Sequence, residues 1–315
     1  MKTRFSVLTL FPLLALSAAT LADTNDAGID TKKIDELTGA KGVLIPEEGV
    51  FKVSFPRTDV KVSVDGWAMK PFMGLTSWAA FKRGKKGPAM VMGDLVLFED
   101  EVNPVMSAAL DNGLGVTALH NHFFYDSPKV FFMHIGGEGN LETLAKAVRA
   151  TQDKIKEIRS ASPQPAKGFQ GSPVSEASSI DGKAIEEVLG TRGQANNGMF
   201  KVVIGRKARM HGRDEVGKEM GVNTWAAFAG SNENAFVDGD FAVLESELQS
   251  VLKALRASSL NLVAIHHHMT HEQPRIIFLH YWGKGPATQL AQGLRRGLDQ
   301  TGKSKMNHGM RGPIN

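Results

Sequence analysis

Apolar and polar residues alternate along VFKVSFPR (50–57) and DVKVSV (59–64), the period of half-buried strands. WAAF (78–81) and MVMGDLVLF (90–98) continue the strand-like pattern. The period then changes. Val102, Val105, Met106, Ala109 and Leu110 fall at helical spacing, and Gly113 supplies a stop. The apolar and aromatic stretch 118–139 reads as two short strands joined by a turn that holds Pro128. After it, Leu141, Leu144, Ala145 and Val148 line one face of a helix, with Asn140 as its cap. A short helix from Thr31 to Leu37, capped by Thr31, precedes the first strands.

Residues 161–179, ASPQPAKGFQGSPVSEASS, have no periodicity and read as an exposed linker. Beyond them the series restarts. GVNTWAAF (221–228) matches GLTSWAAF (74–81), and VDGDFAVLESE (237–247) matches VMGDLVLFEDE (91–101). A second hairpin follows, then a helix marked by Leu290, Ala291, Leu294 and Leu298, with Pro286 suited to its first position. Each unit spans about 125–130 residues, too long a period and too few copies for a solenoid. The expectation is an α+β fold of two tandem repeats, each a strand-rich section followed by β-α-β-β-α, related by an approximate two-fold. Domain boundaries are drawn at 23–160 and 180–303, with a tail at 304–315 in which His308 is incidental.

The hairpins carry the candidate chemistry. ALHNHFFYDSPKVFFMHIGGEG (118–139) aligns without a gap on AIHHHMTHEQPRIIFLHYWGKG (264–285), at a separation of 146 residues. His120, His122 and His134 coincide with His266, His268 and His280. Two residues apart on a strand, His120 and His122 share a face. A turn centred near residue 127 sets His120 opposite His134, and any even-sum register keeps all three imidazoles on one face. Three converging imidazoles form a three-nitrogen site for a transition metal, Zn²⁺ above all, with a fourth position open to water. Polar networks or a metal-free histidine pocket remain the other readings of the same pattern.

Other matched residues rank behind. Asp126 and Glu272 lie four residues after the second histidine of each copy. They stand as candidate general bases or fourth ligands against an ordinary turn role. Asp94 with Asp240, and Glu101 with Glu247, are candidates for orienting imidazoles, and Glu101 is also favoured simply as an acid at a helix start. Trp78 and Trp225 read as core anchors. His267 faces away from its triad by parity, and His271 is placed to add a ligand.

Composition narrows the setting. The chain has 315 residues, 42% of them hydrophobic, and a formal charge of +4. Lys2 and Arg4 precede an apolar run from Phe5 to Leu16 and the small-residue stretch SAATLA, the pattern of a secretory signal peptide over residues 1–22. Without those two cations the chain is nearly neutral, and no basic stripe interleaved with aromatics argues for nucleic acid. The apolar run is short for an anchor and has no second candidate, so no transmembrane segment is expected in the mature chain. With no cysteine there can be no disulfide, thiolate site or lipidated cysteine. The expected location is the periplasm, in soluble form.

The repeat, the paired HxH hairpins and the GDLVL and WAAF signatures resemble the LppY/LpqO family across nearly the whole mature chain. That resemblance implies export and a duplicated domain of unknown function, and no reaction. Members are often lipoproteins, from which this cysteine-free chain departs. The functional expectation is an exported metal-binding protein. As a hydrolase it would use metal-bound water on a small-molecule or envelope substrate, with Asp126 or Glu272 taking the proton. The alternatives are a non-catalytic metal-buffering protein and a metal-free envelope ligand-binding module. The sequence leaves the oligomeric state open.

Overall fold

A computed structural model of the chain describes residues 28–84, 88–169 and 171–302. The signal-peptide pattern at 1–22 and the tail at 304–315 lie outside these residues. In the first repeat the elements are α1 (Thr31–Thr38), β1 (Gly42–Ile45), β2 (Val50–Pro56), β3 (Ser63–Val64), β4 (Trp67–Ala68), β5 (Thr76–Arg83) and β6 (Ala89–Phe98). They are followed by α2 (Glu99–Asp111), β7 (Gly115–His120), β8 (Asp126–Ser127), β9 (Val130–Gly139) and α3 (Leu141–Ala161). The second repeat supplies α4 (Gly182–Leu189), β10 (Gly193–Asn196), β11 (Met199–Gly205), β12 (Ala208–Met210), β13 (Asp214–Val216), β14 (Asn223–Gly230) and β15 (Ala235–Leu244). It ends with α5 (Leu248–Arg256), β16 (Asn261–His266), β17 (Glu272–Gln273), β18 (Ile276–Gly285) and α6 (Ala287–Leu298).

Twelve of the strands form one sheet in the order β1-β2-β5-β6-β9-β7-β16-β18-β15-β14-β11-β10, and every pairing within it is antiparallel. The second half of this order repeats the first in reverse. The repeats join where β7 meets β16, at Leu119 opposite Ile265. They therefore do not keep separate cores. Leu95, Met133 and Ile135 of one repeat and Phe241, Leu279 and Tyr281 of the other belong to a single buried cluster, covered by helix residues such as Met106, Val148, Leu252 and Leu294. The two side-by-side repeats share one sheet, because burying the β7 and β16 edges against each other satisfies their backbone groups.

Among the described residues the opposite face of the sheet carries two small clusters. Val60, Val62, Val96, Phe98, Val130 and Phe132 pack in the first repeat, and Val216, Val222, Ala242, Ile276 and Phe278 in the second. They are associated with the three-stranded sheets β4-β3-β8 and β13-β12-β17. The alternation of DVKVSV is thus real as burial of Val60 and Val62, but only Ser63–Val64 pair as strand. Asn140 caps α3 as its sequence position predicts, accepting from Glu142 and Thr143 N–H. Asp30, not Thr31, caps α1, and Pro286 sits one position before α6. The linker is mostly exposed yet tied down: Ser179 bridges Ser231, Asn234 Nδ2 donates to the Pro173 carbonyl, and Phe169 packs edge-on against Trp282. Among the described residues no helix is long and apolar enough to cross a membrane.

A reciprocal clamp locks the seam. Both central strands slip register, between Val116 and Ala118 in β7 and between Leu262 and Ala264 in β16. Asn103 of α2 reaches across to the Leu262 backbone, donating to its carbonyl at 3.2 Å and accepting from its N–H at 2.8 Å. Gln249, its match 146 residues on, does the same to Val116, with both bonds at 2.9 Å. Replacing Asn103 with Leu leaves two backbone groups of a central strand unpaired in a buried place. The expected cost is about 2–3 kcal/mol, read as a lower urea midpoint with an unchanged slope; an unchanged midpoint would refute the clamp.

Candidate metal centre

The histidines are set by strand register. On each side of the seam one row of side chains runs across the open face: Trp78, Asp94, His134 and Ala118 in the first repeat, and Trp225, Asp240, His280 and Ala264 in the second. His120 lies opposite Phe132 and His266 opposite Phe278. The register differs by two residues from the one that would set His120 opposite His134, and an even shift leaves every imidazole on the same face. His120 accordingly stacks on His134 with centroids 5.2 Å apart, and His266 on His280 at 4.7 Å.

The second histidine of each motif is held differently. Past the ends of β7 and β16, His122 lies flat on the Phe132 ring, 3.4 Å between centroids and 5° between planes. His268 lies on Phe278 at 3.5 Å and 10°. The matched phenylalanines are the platforms that bring these rings back over the first histidines, 5.1 Å away in both copies.

The seam joins the two sets. With Leu119 opposite Ile265, His120 faces Ala264 and His266 faces Ala118, so the two imidazoles are diagonal neighbours across the central strands. The alanines at the crossing keep the space between them open.

A carboxylate completes the second set. Among the described residues, the group of three or more acidic or imidazole side chains whose ligand atoms all lie within 4.8 Å of one another is Asp240, His266 and His268. His268 Nε2 stands 3.1 Å from Asp240 Oδ2, while its Nδ1 lies 3.3 Å from the Gly221 carbonyl. A carbonyl can only accept, so Nδ1 carries a proton, and Nε2 faces the carboxylate either as an imidazolium N–H or as a lone pair. Two acceptors so placed need a proton or a cation between them. Two ligands on a tetrahedral Zn²⁺ at ordinary bond lengths are about 3.3 Å apart. His280 Nδ1 is similarly turned to the Gly239 carbonyl at 3.4 Å, which leaves its Nε2 for a ligand.

Orphaned atoms mark the same places in both copies. Asp94 Oδ1, His120 Nδ1, Asp240 Oδ1 and His266 Nδ1 are buried without a hydrogen-bond partner. Burial pushes the Asp94 carboxyl above its ordinary range, against the pull of His134, His122 and His120. Burial pulls His122 below the usual imidazole value, with His120 adding to the effect, and does the same to His266 against the opposing field of Asp240. Both imidazoles are thereby biased toward the neutral, ligating form.

The glycines before the aspartates are structural. A Cβ on Gly239 would run into the Tyr281 hydroxyl and the Trp225 carbonyl, which are themselves hydrogen-bonded at 2.8 Å. A Cβ on Gly93 would come within 2.7 Å of the Trp78 carbonyl. The GD pair thus lets neighbouring strands close up and delivers the aspartate to the histidine row.

Several candidates sit elsewhere. Asp126 Oδ2 accepts from Val130 N–H at 2.7 Å and its Oδ1 meets Lys129 Nζ at 3.1 Å; the side chain is fully buried in the turn. Glu272 accepts from Ile276 N–H at 3.4 Å and is outside the Asp240 group, although its Oε2 is buried and unpartnered. The turn holds Asp126 through both oxygens and Glu272 through Oε1 alone. His271 stacks on His211 at 5.2 Å, and His267 is exposed. Trp78 and Trp225 are not core anchors: each is half-buried on the open face beneath a lysine ammonium, Lys52 or Lys201, 4.3 Å from its ring. The residue underrated from the sequence is Asp240, which the structure brings to His266 and His268. Its signal was the GD match between repeats combined with strand parity.

Comparisons with known proteins bear on the repeat rather than the chemistry. The family described as Domain of Unknown Function (DUF1259) matches residues 32–154 and again residues 183–300. No curated protein matches the chain significantly. Among solved structures, a trimeric bacterial microcompartment shell protein, PduB, aligns over 85% of this chain and 92% of its own, at 12% identity and a TM-score of 0.20. A superposition that loose carries no structural argument.

Proposed function

The chain belongs to the family called Domain of Unknown Function (DUF1259), a name that states no activity, and from the site itself we propose that it binds a divalent transition metal, most simply Zn²⁺. Asp240, His266 and His268 are the ligands, and His280, stacked on His266, lies outside that group. The observation that carries this reading is the convergence of Asp240, His266 and His268, whose ligand atoms all lie within 4.8 Å of one another, with His268 Nε2 3.1 Å from Asp240 Oδ2. Mixed imidazole and carboxylate donors suit Zn²⁺ among the common metals. Asp94, His120, His122 and His134 make the looser counterpart, a second and weaker site.

Elemental analysis of protein purified without a histidine tag and then reconstituted with Zn²⁺ tests this directly. Near-stoichiometric retention after dialysis supports it, and failure to retain any metal overturns it. A hydrolytic version is favoured by one feature: the His268 side chain is 34% exposed, so solvent can reach a fourth coordination position. With Asp126 and Glu272 held by turn contacts, binding is the primary reading and turnover the second. Ester and phosphoester hydrolysis that follows the metal load would promote it. The signal-peptide pattern supports export to the periplasm, and the HxH, GDLVL and WAAF signatures support placement with the LppY/LpqO proteins.

Acid should release the metal, because protons compete for the same lone pairs. His122 and His266 have folded values below the ordinary 6.5. Their neutral forms are therefore favoured by folding, and that contribution is present above about 6.5 and lost as pH falls toward the folded values. A chromophoric chelator should report full retention at neutrality and progressive release down to about pH 5. Retention that does not change over that range would count against imidazole ligands.

A further inference from the structure

A cavity of about 620 Å³ opens at the seam between the repeats, away from the histidine row. Its walls come from the start of α2, the end of α5, the first residues of β16, and the linker. The volume falls within the range of small-molecule sites. Phe131, Val102, Leu262 and Val263 make an apolar body, and Trp282 with Phe169 closes one side.

Arg256 on this wall is largely buried and has no counter-charge among the described residues. Arg256 spends Nε on Ser107 Oγ at 3.2 Å and one Nη1 proton on the Leu260 carbonyl at 2.6 Å. Among the described residues it has no carboxylate partner, and its Nη2 makes no hydrogen bond. Burial without an anion lowers its pKa to about 10, which marks a guanidinium stripped of water and not repaid. Its counterpart 146 residues earlier is Leu110, so the feature belongs to one side of the seam alone.

The remaining charges define the ligand further. Glu99 and Asp100 line the cavity at the start of α2, Asp100 being paired with Arg159 and accepting from Ala166 N–H at 3.0 Å. Lys167 also lines it, from the exposed linker. Ser107 is eight residues beyond Glu99, so the acidic end and the Arg256 contact are roughly 12 Å apart along the helix. A second negative charge on a ligand would meet Glu99, which among the described residues has no ion-pair partner.

We propose that this cavity binds a small organic acid with a single carboxylate, the carboxylate on Arg256 and an apolar or aromatic body against Phe131, Trp282 and Phe169. The site does not depend on the metal reading. A neutral analogue would leave the guanidinium unpaired, and a dianion would be repelled at the far end.

Calorimetry with the full chain tests it, using 3-phenylpropionate, octanoate, suberate and the neutral 3-phenylpropanamide as probes. The expected result is binding of at least one of the two monocarboxylates. The amide of matched shape should bind roughly 10–100-fold more weakly, the factor that one charge-assisted hydrogen bond supplies. Arg256→Met should remove the same factor while leaving the amide unchanged. Suberate, with its second carboxylate, should bind more weakly than octanoate. Phe169→Ala, in the exposed linker and remote from the folded core, should weaken the acid severalfold and serves if Arg256→Met does not fold. No binding of either monocarboxylate, equal binding of acid and amide, suberate binding as tight as octanoate, or binding insensitive to both variants would each overturn the proposal.

Discussion

Replacing His266 and His268 together with alanine should abolish stoichiometric metal binding, while the matching His120→Ala/His122→Ala protein should keep one ion per chain. The asymmetry follows from geometry. Asp240, His266 and His268 bring their ligand atoms within 4.8 Å, and among the described residues no group of the first repeat is drawn together as tightly. Loss of two of three ligands should weaken the site by at least ~100-fold, beyond the 10–100-fold typical of a missing outer-shell partner. Asp240→Asn is the sharper variant, because it keeps shape and removes the charge facing His268. Elemental analysis beside a competitive chelator titration reads all three. If the two double variants lose metal equally, the ion is shared across the seam, where His120 and His266 are diagonal neighbours, and the assignment to the second repeat is wrong.

Glu101→Ala should cost about 3–5 kcal/mol, the range for breaking a buried ion pair by removing one partner. The Glu101 side chain is fully buried. It receives both Nη groups of Arg57, at 2.8 and 2.9 Å, and Arg159 Nε lies 2.9 Å away. It also accepts from Phe98 N–H at 2.9 Å and so caps the helix it begins. Its removal takes the shared buried carboxylate from both guanidiniums, leaving Arg57 with Asp59 and Arg159 with Asp100, and leaves the Phe98 N–H without its acceptor. Glu247→Ala should cost less. Its partner Arg206 is 22% exposed against 6% for Arg57, and water can solvate the freed guanidinium in part. Chemical denaturation of both variants checks the order, and an equal or inverted pair of values would show that burial does not set the cost.

Much of the local structure was legible because it depends on period and on caps. The strands at 50–56, 78–81 and 90–98, the helices after them and the Asn140 cap need only near neighbours. The linker is mostly exposed, as its composition predicts, but composition does not show its ties: Phe169 and Pro173 find partners more than sixty residues away. Trp78 and Trp225 misled because period alone cannot say which face of a strand is covered. Helices cover the side bearing Ala79 and Phe81, and the tryptophans point the other way.

By itself the sequence determined that the chain is a duplication, that each copy carries three histidines at fixed offsets, and that strand parity sends all three to one face. These are properties of short-range pairing, in which a register shifted by an even number gives the same face. Only the tertiary structure decided that β7 and β16 meet, so that two hairpins become one sheet with its histidines in one band. It also decided that Asp240 joins them while Asp126 and Glu272 stay in their turns. Those outcomes depend on which buried edge and which backbone group lacks a partner, and partners 146 residues apart cannot be read from local pattern.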